Sequence, residues 1–300
     1  MPFRRSRLSE SSRAELALAG VTVIWGSTFV LVKSALADIS TVVFLTLRFS
    51  VATFALTLIY KKAVRRESVR PGILAGALLF VAYFFQTKGL ESTTPSKSAF
   101  LTGLAIPMVP LASSLVYKIR PRLFEIVGVL IASTGMGLMT LPAEGFSIGR
   151  GDFLSFLCAV TFALHIVVVS HFSPLVGYES VAVLQVATAA FLGAATFGFA
   201  EPMRLHANWG VAAAVLITGL LATALAFTTM AWALRYTTAT RSALIFALEP
   251  VVAWMTSWVL LGERLDLRGK VGAVAILAGV LLVELKRSGS VTEASGNTSN

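Results

Sequence analysis

Two ionisable residues, Glu249 and Arg48, stand deep inside apolar stretches of this chain. A charge at such depth costs about 2.5–3.5 kcal/mol on insertion scales, so each marks a candidate site. Glu249 sits roughly nine residues into its stretch, about 13 Å from the end at the helical rise, and Pro250 follows it. Proline removes one backbone N–H and clashes with the preceding turn, which leaves a carbonyl free to face a cavity. A carboxyl there can be neutral in one state and charged in another, the chemistry of a proton-coupling or cation-binding group. The competing reading makes Glu249 a packing residue, paired with Arg48 or hydrogen-bonded at the proline break. Arg48 cannot discharge, so it must be paired or reach a wet cavity. It reads first as a structural intramembrane charge, in an ion pair or capping a carbonyl, with anion binding as the lesser reading. His165 lies at a depth similar to Glu249, where a histidine either meets solute or bridges two helices by a hydrogen bond.

Other side chains could hold an organic solute. Trp25-Gly26-Ser27-Thr28 offers a stacking face, a close-approach glycine and two hydroxyls within one turn. Tyr83 and Trp25 combine an apolar body with a polar handle, Gln86 adds an amide, and Trp232 a further ring. Trp25, Ser27, Tyr83, Gln86, His165 and Trp232 are therefore the candidate solute-binding residues, with Glu249 for ion coupling. Pro107, Pro110 and Pro250 are candidate helix breaks at the cavity, since breaks at corresponding places in two halves point to a binding site. Lys33, Lys88 and Lys97 read as side chains snorkelling to headgroups. Gln86 and Lys88 with Thr93 and Thr94 form a polar mouth in the alternative reading.

The chain carries no His-Glu-x-x-His, Walker, Gly-x-Ser-x-Gly or Gly-x-Gly-x-x-Gly signature. Without a nucleotide-binding loop it has no means of its own to use ATP, so uphill work must draw on an ion or solute gradient. The single cysteine, Cys158, permits neither an internal disulfide nor a cysteine-based zinc site. We expect no cofactor and no metal.

The elements that must position these residues are helices spanning a bilayer. The 300 residues are 56% apolar and 13% charged, with mean hydropathy +0.81, far from a soluble domain in which charges run near a quarter. Apolar runs long enough to cross about 30 Å of hydrocarbon occupy 15–34, 39–60, 71–90, 95–117, 122–141, 152–171, 178–199, 210–233, 240–261 and 267–285. The fold expected is an all-α multi-pass membrane protein of ten transmembrane helices, in two inverted five-helix repeats. The repeat is legible in the last two spans of each half. At an offset of about 144 residues Thr93, Thr94, Ser98 and Ala99 meet Thr237, Thr238, Ser242 and Ala243, and Gly128 and Gly135 meet Gly272 and Gly279. Five spans per half is odd, so the second half enters the membrane upside down. The expected division is an N-terminal tail 1–14, a first repeat 15–141, a linker 142–151, a second repeat 152–287 and a disordered tail 288–300. Gly72 and Gly76, with Gly128, Gly135, Gly272 and Gly279, read as close helix packing.

Net charge is +10, which would point to nucleic acid in a soluble protein. Here the basic residues are juxtamembrane and read as orientation instead. Sixteen Lys/Arg fall on one side and 8 on the other, which puts both termini in the cytoplasm of a cell with the chain in its inner or plasma membrane. Arg264, Arg268 and Lys270 run against that rule.

Taken together, these motifs resemble the EamA-type drug/metabolite transporters. Trp25-Gly26-Ser27-Thr28-Phe29 with Lys33, then Arg48-Phe49, then Gln86-Thr87-Lys88-Gly89-Leu90 are similar to its first-half signatures. Phe100-Leu101-Thr102-Gly103-Leu104 leading to Pro107 and Pro110 is similar to one subgroup's fourth span. Leu248-Glu249-Pro250-Val251-Val252 and Leu261-Gly262-Glu263-Arg264-Leu265 resemble the second half. The resemblance implies a central cavity bordered by Trp25, Ser27, Gln86 and Glu249, and export of amino acids, other metabolites or toxic compounds, with proton exchange in many members. Glu263 would then be architectural. The partners expected are a small-molecule solute, the lipid bilayer and protons, with no nucleic acid; homodimer formation is left open. A sensor or scaffold would need an output domain for which neither tail has room. An intramembrane enzyme would need more than His165 and His171, which fall on different helix faces.

Overall fold

The computed structural model describes residues 9–93, 95–141, 149–261, 264 and 266–296, and among these every regular element is a helix, with one isolated bridge between Ile39 and Leu205. The helices are α1 (Glu10–Ala35), α2 (Thr41–Ile59), α3 (Val69–Ser92), α4 (Pro95–Gly103), α5 (Ala105–Tyr117), α6 (Leu123–Thr140), α7 (Arg150–Val176), α8 (Tyr178–Ala195), α9 (Trp209–Gly219), α10 (Ala226–Ala233), α11 (Ala239–Phe246), α12 (Glu249–Leu261) and α13 (Leu267–Gly296). A π segment, Leu220–Leu225, joins α9 to α10 without a turn. Read end to end these make ten rods over the ten expected spans. Among the described residues seven stretches are long and apolar enough to cross a membrane: α1, α2, Arg66–Ser92, Phe100–Tyr117, α7, α8 and Trp209–Ala233; Leu123–Met139 is a shorter apolar helix. Large apolar side chains also cover the outside of the bundle, Leu115 being 82% and Leu123 77% exposed. Such a surface suits hydrocarbon rather than water.

Caps set where the rods start. Ser9 accepts from Ser12 N at 3.1 Å, Asn208 from Val211 N at 2.9 Å and Thr238 from Arg241 N at 3.2 Å, each satisfying an amide that the first turn leaves free. α1 therefore begins ahead of residue 15, where the hydropathy alone rises. At the other end α13 continues to Gly296, into the tail expected to be disordered. Adding residues to a helix already nucleated costs far less than starting one.

Rods four and nine are broken at matching places. α4 gives way to α5 at Leu104, and α11 to α12 at Ala247 and Leu248, about 144 residues on. Pro107 and the buried Pro110 lie within α5, and Pro250 is the second residue of α12. The sidedness of the packing also repeats. α3 lies against α7 and α8, while α9, the π segment and α10 lie against α1 and α2. α6 packs along α13 through glycines, and a Cβ added to Gly128 would fall 2.9 Å from the Gly279 carbonyl, one on Gly135 2.6 Å from that of Gly272. Ascending residues meet descending ones, so α6 and α13 run antiparallel. Replacing Gly135 by valine should cost about 1–3 kcal/mol of overpacking, read as a lower unfolding midpoint in detergent. An unchanged midpoint would mean that the two backbones stand farther apart.

The connection between α8 and α9 closes one end of the bundle. Ser40 N donates to the Arg204 carbonyl at 2.9 Å, His206 N to that of Asp38 at 2.8 Å, and Val42 N to Glu201 at 2.6 Å. Lys88 reaches Glu201 and also Glu91, the latter at 2.9 Å, so it is held in an ion pair rather than snorkelling. Lys33 donates to the Leu90 carbonyl. The side chain of Lys97, and Thr94 and Glu263, lie outside the described residues.

Candidate functional site

One cavity of about 1060 Å³, part of it open to solvent, runs through the middle of the bundle. Its wall draws on α1, α2, α3, α4, α5, α6, α7, α10, α11 and α12, so both halves of the chain build it. Trp25, Tyr83, Gln86, His165, Glu249, Pro250 and Arg48 all line it. Ser27, Trp232, Pro107 and Pro110 do not. Ser27 is exposed and donates to the carbonyls of Val23 and Ile24 at 2.8 and 3.0 Å. Trp232 rests on Tyr236 with centroids 5.5 Å apart.

Gly26 decides how α1 meets the break in rod nine. A Cβ there would stand 2.9 Å from the Glu249 carbonyl and 3.0 Å from Val252. The missing side chain lets the start of α12 lie directly on α1, which brings Glu249 beside Trp25 at the cavity wall. Among the described residues the Glu249 carboxyl has neither a hydrogen bond nor an ion pair.

Trp25 forms the cavity floor. Its ring lies 5.2 Å from Phe227 and 5.1 Å from Phe246, and its indole N–H donates to the Ala222 carbonyl at 2.9 Å. That carbonyl is available because the π segment shifts the backbone register by one residue. The same arrangement recurs at the other half's counterparts. Phe162 stands where Trp25 does about 137 residues earlier, and Tyr83 where Phe227 does about 144 later. Their rings are 5.3 Å apart, against 5.2 Å for the first pair, and Tyr83 meets Phe227 at 6.0 Å across the centre. Phe246 has Thr102 as its counterpart, so the second side lacks a third ring and leaves open volume.

Arg48 is buried at the same level. Its Nε donates to Thr223 Oγ1 at 2.7 Å, and its Nη2 to Tyr83 Oη at 3.0 Å and the Ala222 carbonyl at 3.3 Å. The guanidinium carbon lies 4.3 Å from the Tyr83 ring centroid, a cation–π contact. Thr223 in turn donates to the Thr218 carbonyl, five residues back, across the π turn. Arg48 is not paired with Glu249. Its counterpart is Gln185, at one constant offset along α2 and α8, which shares a 2.8 Å hydrogen bond with the Nε2 of buried His165. Among the described residues His165 Nδ1 and Gln185 Nε2 have no hydrogen-bond partner.

Thr223, the Ala222 carbonyl, Phe162 and Gln185 are site residues that sequence reasoning passed over. The π segment Leu-Leu-Ala-Thr-Ala-Leu contains no proline or glycine to announce it. The one signal available was a pair of threonines five apart, 218 and 223, in an otherwise apolar run.

At the face where α1 begins, the bundle is closed by polar contacts. Arg241 Nε donates to Glu125 at 3.1 Å and its Nη1 is 3.9 Å from Glu15, whose carboxylate also accepts from Thr237 at 3.2 Å. At the opposite face the repeat counterparts Thr93 and Asp152 make the equivalent bond at 2.6 Å, and Ser98 pairs with Ser155 at 3.1 Å.

Residues 12–141 and 149–285 each match the EamA-like transporter family. An uncharacterized transporter of Archaeoglobus fulgidus is 34% identical over 273 residues, which are 91% of this chain and 86% of that protein. The uncharacterized transporter YoaV of Bacillus subtilis is 24% identical over 89% of this chain and 95% of its own. A solved crystal structure shares the fold with a TM-score of 0.76 at 22% identity, covering 91% of this chain and 97% of its own.

Proposed function

From the premise that the chain belongs to the EamA-like transporter family, we propose that it is a secondary transporter of a small organic solute, working by alternating access. The observation that carries the reading is the cavity at mid-depth, walled by both halves and holding an unpaired carboxyl at a helix break. A group so placed has a use only when something enters the cavity. Amino acids or related metabolites suit a wall of rings interrupted by one acid, one base and amide or hydroxyl groups, and export into the medium follows the resemblance above.

The halves act as inverted repeats in this proposal. Supporting this, α6 and α13 are repeat counterparts that meet antiparallel. Gly128 touches the partner of Gly135, and Gly135 touches the partner of Gly128, the reciprocity that a two-fold axis imposes. The paired rings Trp25–Phe227 and Phe162–Tyr83 repeat it at the centre. The floor and the Arg241 cluster close the face where α1 begins, which the distribution of basic residues assigns to the cytoplasm. The cavity instead runs toward Val32, Thr87, Leu90 and Met136 near the other face. Transport then exchanges this arrangement for its mirror, with Glu249 giving up or taking a proton on the way.

Solute counterflow in sealed vesicles tests the core of this. Vesicles loaded with unlabelled amino acid mixtures should accumulate labelled solute transiently, since only a carrier exchanges label across a closed bilayer. Label that never enters faster than in empty vesicles, over a panel of amino acids, nucleosides, sugars and cationic dyes, would refute the transporter reading.

A further inference from the structure

We infer that the free end of Arg48 is the receptor for a single carboxylate on the solute; the inference rests on the transporter reading and names its substrate class. A guanidinium has five N–H donors. Three are committed, one from Nε to Thr223 and two from Nη2 to Tyr83 and the Ala222 carbonyl. Among the described residues the two on Nη1 have no protein partner, and Arg48 forms no ion pair. Arg48 is only 3% exposed, yet Nη1 is not among the fully enclosed polar atoms, and the cavity that Arg48 lines is the space it reaches.

A buried cation with no counter-ion is expensive, and hydroxyls, a carbonyl and a ring face soften that cost without neutralising it. The packing of α2 against its neighbours does not demand the charge. At the counterpart position on α8, neutral Gln185 makes the interhelical hydrogen bond with His165. The charge is therefore placed once, on the side of the cavity where an anion arrives. Three fixed contacts hold the guanidinium in one orientation before any solute binds, which reduces the ordering cost of binding. They use up the Nε/Nη2 edge, the edge that grips a phosphate or carboxylate in a fork. Two N–H groups on one nitrogen remain, enough for one carboxylate and too few for a dianionic phosphate. Glu249, unpaired in the same wall, stays available for a proton or for an ammonium on the same solute.

The test compares an acid with its amide on the full chain in detergent. 3-Phenylpropionate and 3-phenylpropionamide have the same size and differ in charge. Calorimetry and the shift of the unfolding temperature should show the acid binding at least tenfold tighter than the amide. Arg48→Gln should erase that preference, and Arg48→Lys should restore part of it, with gel filtration confirming the folded monodisperse protein. Wild type that treats acid and amide alike, responding to both or to neither, overturns the inference, and so does a folded Arg48→Gln protein with full acid preference. The comparison needs no bilayer and no gradient. Acid preference without counterflow would sink the transporter reading alone, and counterflow without acid preference would sink this inference alone.

Discussion

Replacing Glu249 by glutamine should leave a protein that still exchanges solute but no longer accumulates it against a pH gradient. Glutamine keeps the size and can hydrogen-bond, so the Gly26 contact with the backbone at residue 249 is undisturbed. Insertion should be no worse, because the variant removes an ionisable group that costs about 2.5–3.5 kcal/mol at mid-membrane depth. The energetics of coupling set the size of the effect. One pH unit is worth about 1.36 kcal/mol per proton, and about 1.4 kcal/mol is a tenfold concentration ratio. With one proton exchanged per solute, wild type sustains about a tenfold solute gradient per pH unit, and the variant sustains none. The sign follows from exchange. Acid on the side to which solute leaves drives protons inward as solute moves outward, so acidifying that side should speed wild-type efflux and leave the variant unmoved. Reconstituted vesicles with an imposed pH step measure both. A variant that still accumulates solute in proportion to the pH step would remove Glu249 from the coupling role.

The helical rods and their breaks were readable in the sequence because hydropathy, chain length and proline are properties of residue types. The ten stretches expected from hydropathy coincide with the rods to within five residues at each end, except that α13 runs on to Gly296. What was not readable depended on register. A helix turns about 100° per residue, so Trp25 and Ser27 point about 200° apart and cannot both face one cavity. Trp232 and Phe227, five residues apart on the same rod, diverge in the same way. The π segment changes the backbone pairing of a plain apolar run, and no residue type encodes that. The equivalence of Arg48 and Gln185 was hidden for a different reason. The last two rods of each half share an offset of about 144 residues, whereas the first two need about 137. An ungapped comparison at the larger offset therefore places the counterpart of Arg48 at Leu192, seven residues beyond the glutamine that serves there.

Arg241→Gln should open the face where α1 begins. Arg241 joins three rods there: it stands on α11, donates to Glu125 on α6 and lies 3.9 Å from Glu15 on α1, with all three side chains largely buried. Glu125 spends its other oxygen on the Arg122 amide at the start of α6, so it cannot turn away freely. Removing the cation leaves carboxylates in the closed face without their guanidinium, and breaking a buried pair from one side costs about 3–5 kcal/mol. When the same face is open to water the carboxylates are hydrated, and the loss is small. The difference acts on the balance between the two states, and 3 kcal/mol corresponds to a shift of about a hundredfold. Thr22 reports it. It is fully buried on α1 between Glu15 and the Trp25 floor. In a Cys158→Ser background, Thr22→Cys should be nearly inert to a membrane-impermeant maleimide, and adding Arg241→Gln should raise its labelling rate about tenfold or more. Only reagent applied from the face where α1 begins should show this, which also identifies that face. Opening and misfolding separate in a further variant. Adding Glu125→Gln removes one of the stranded charges and should bring labelling back toward the starting rate, whereas a misfolded protein would stay labelled. Labelling that never rises, in a protein that still runs as a folded monodisperse species, would show that the Arg241 cluster braces the bundle without gating it.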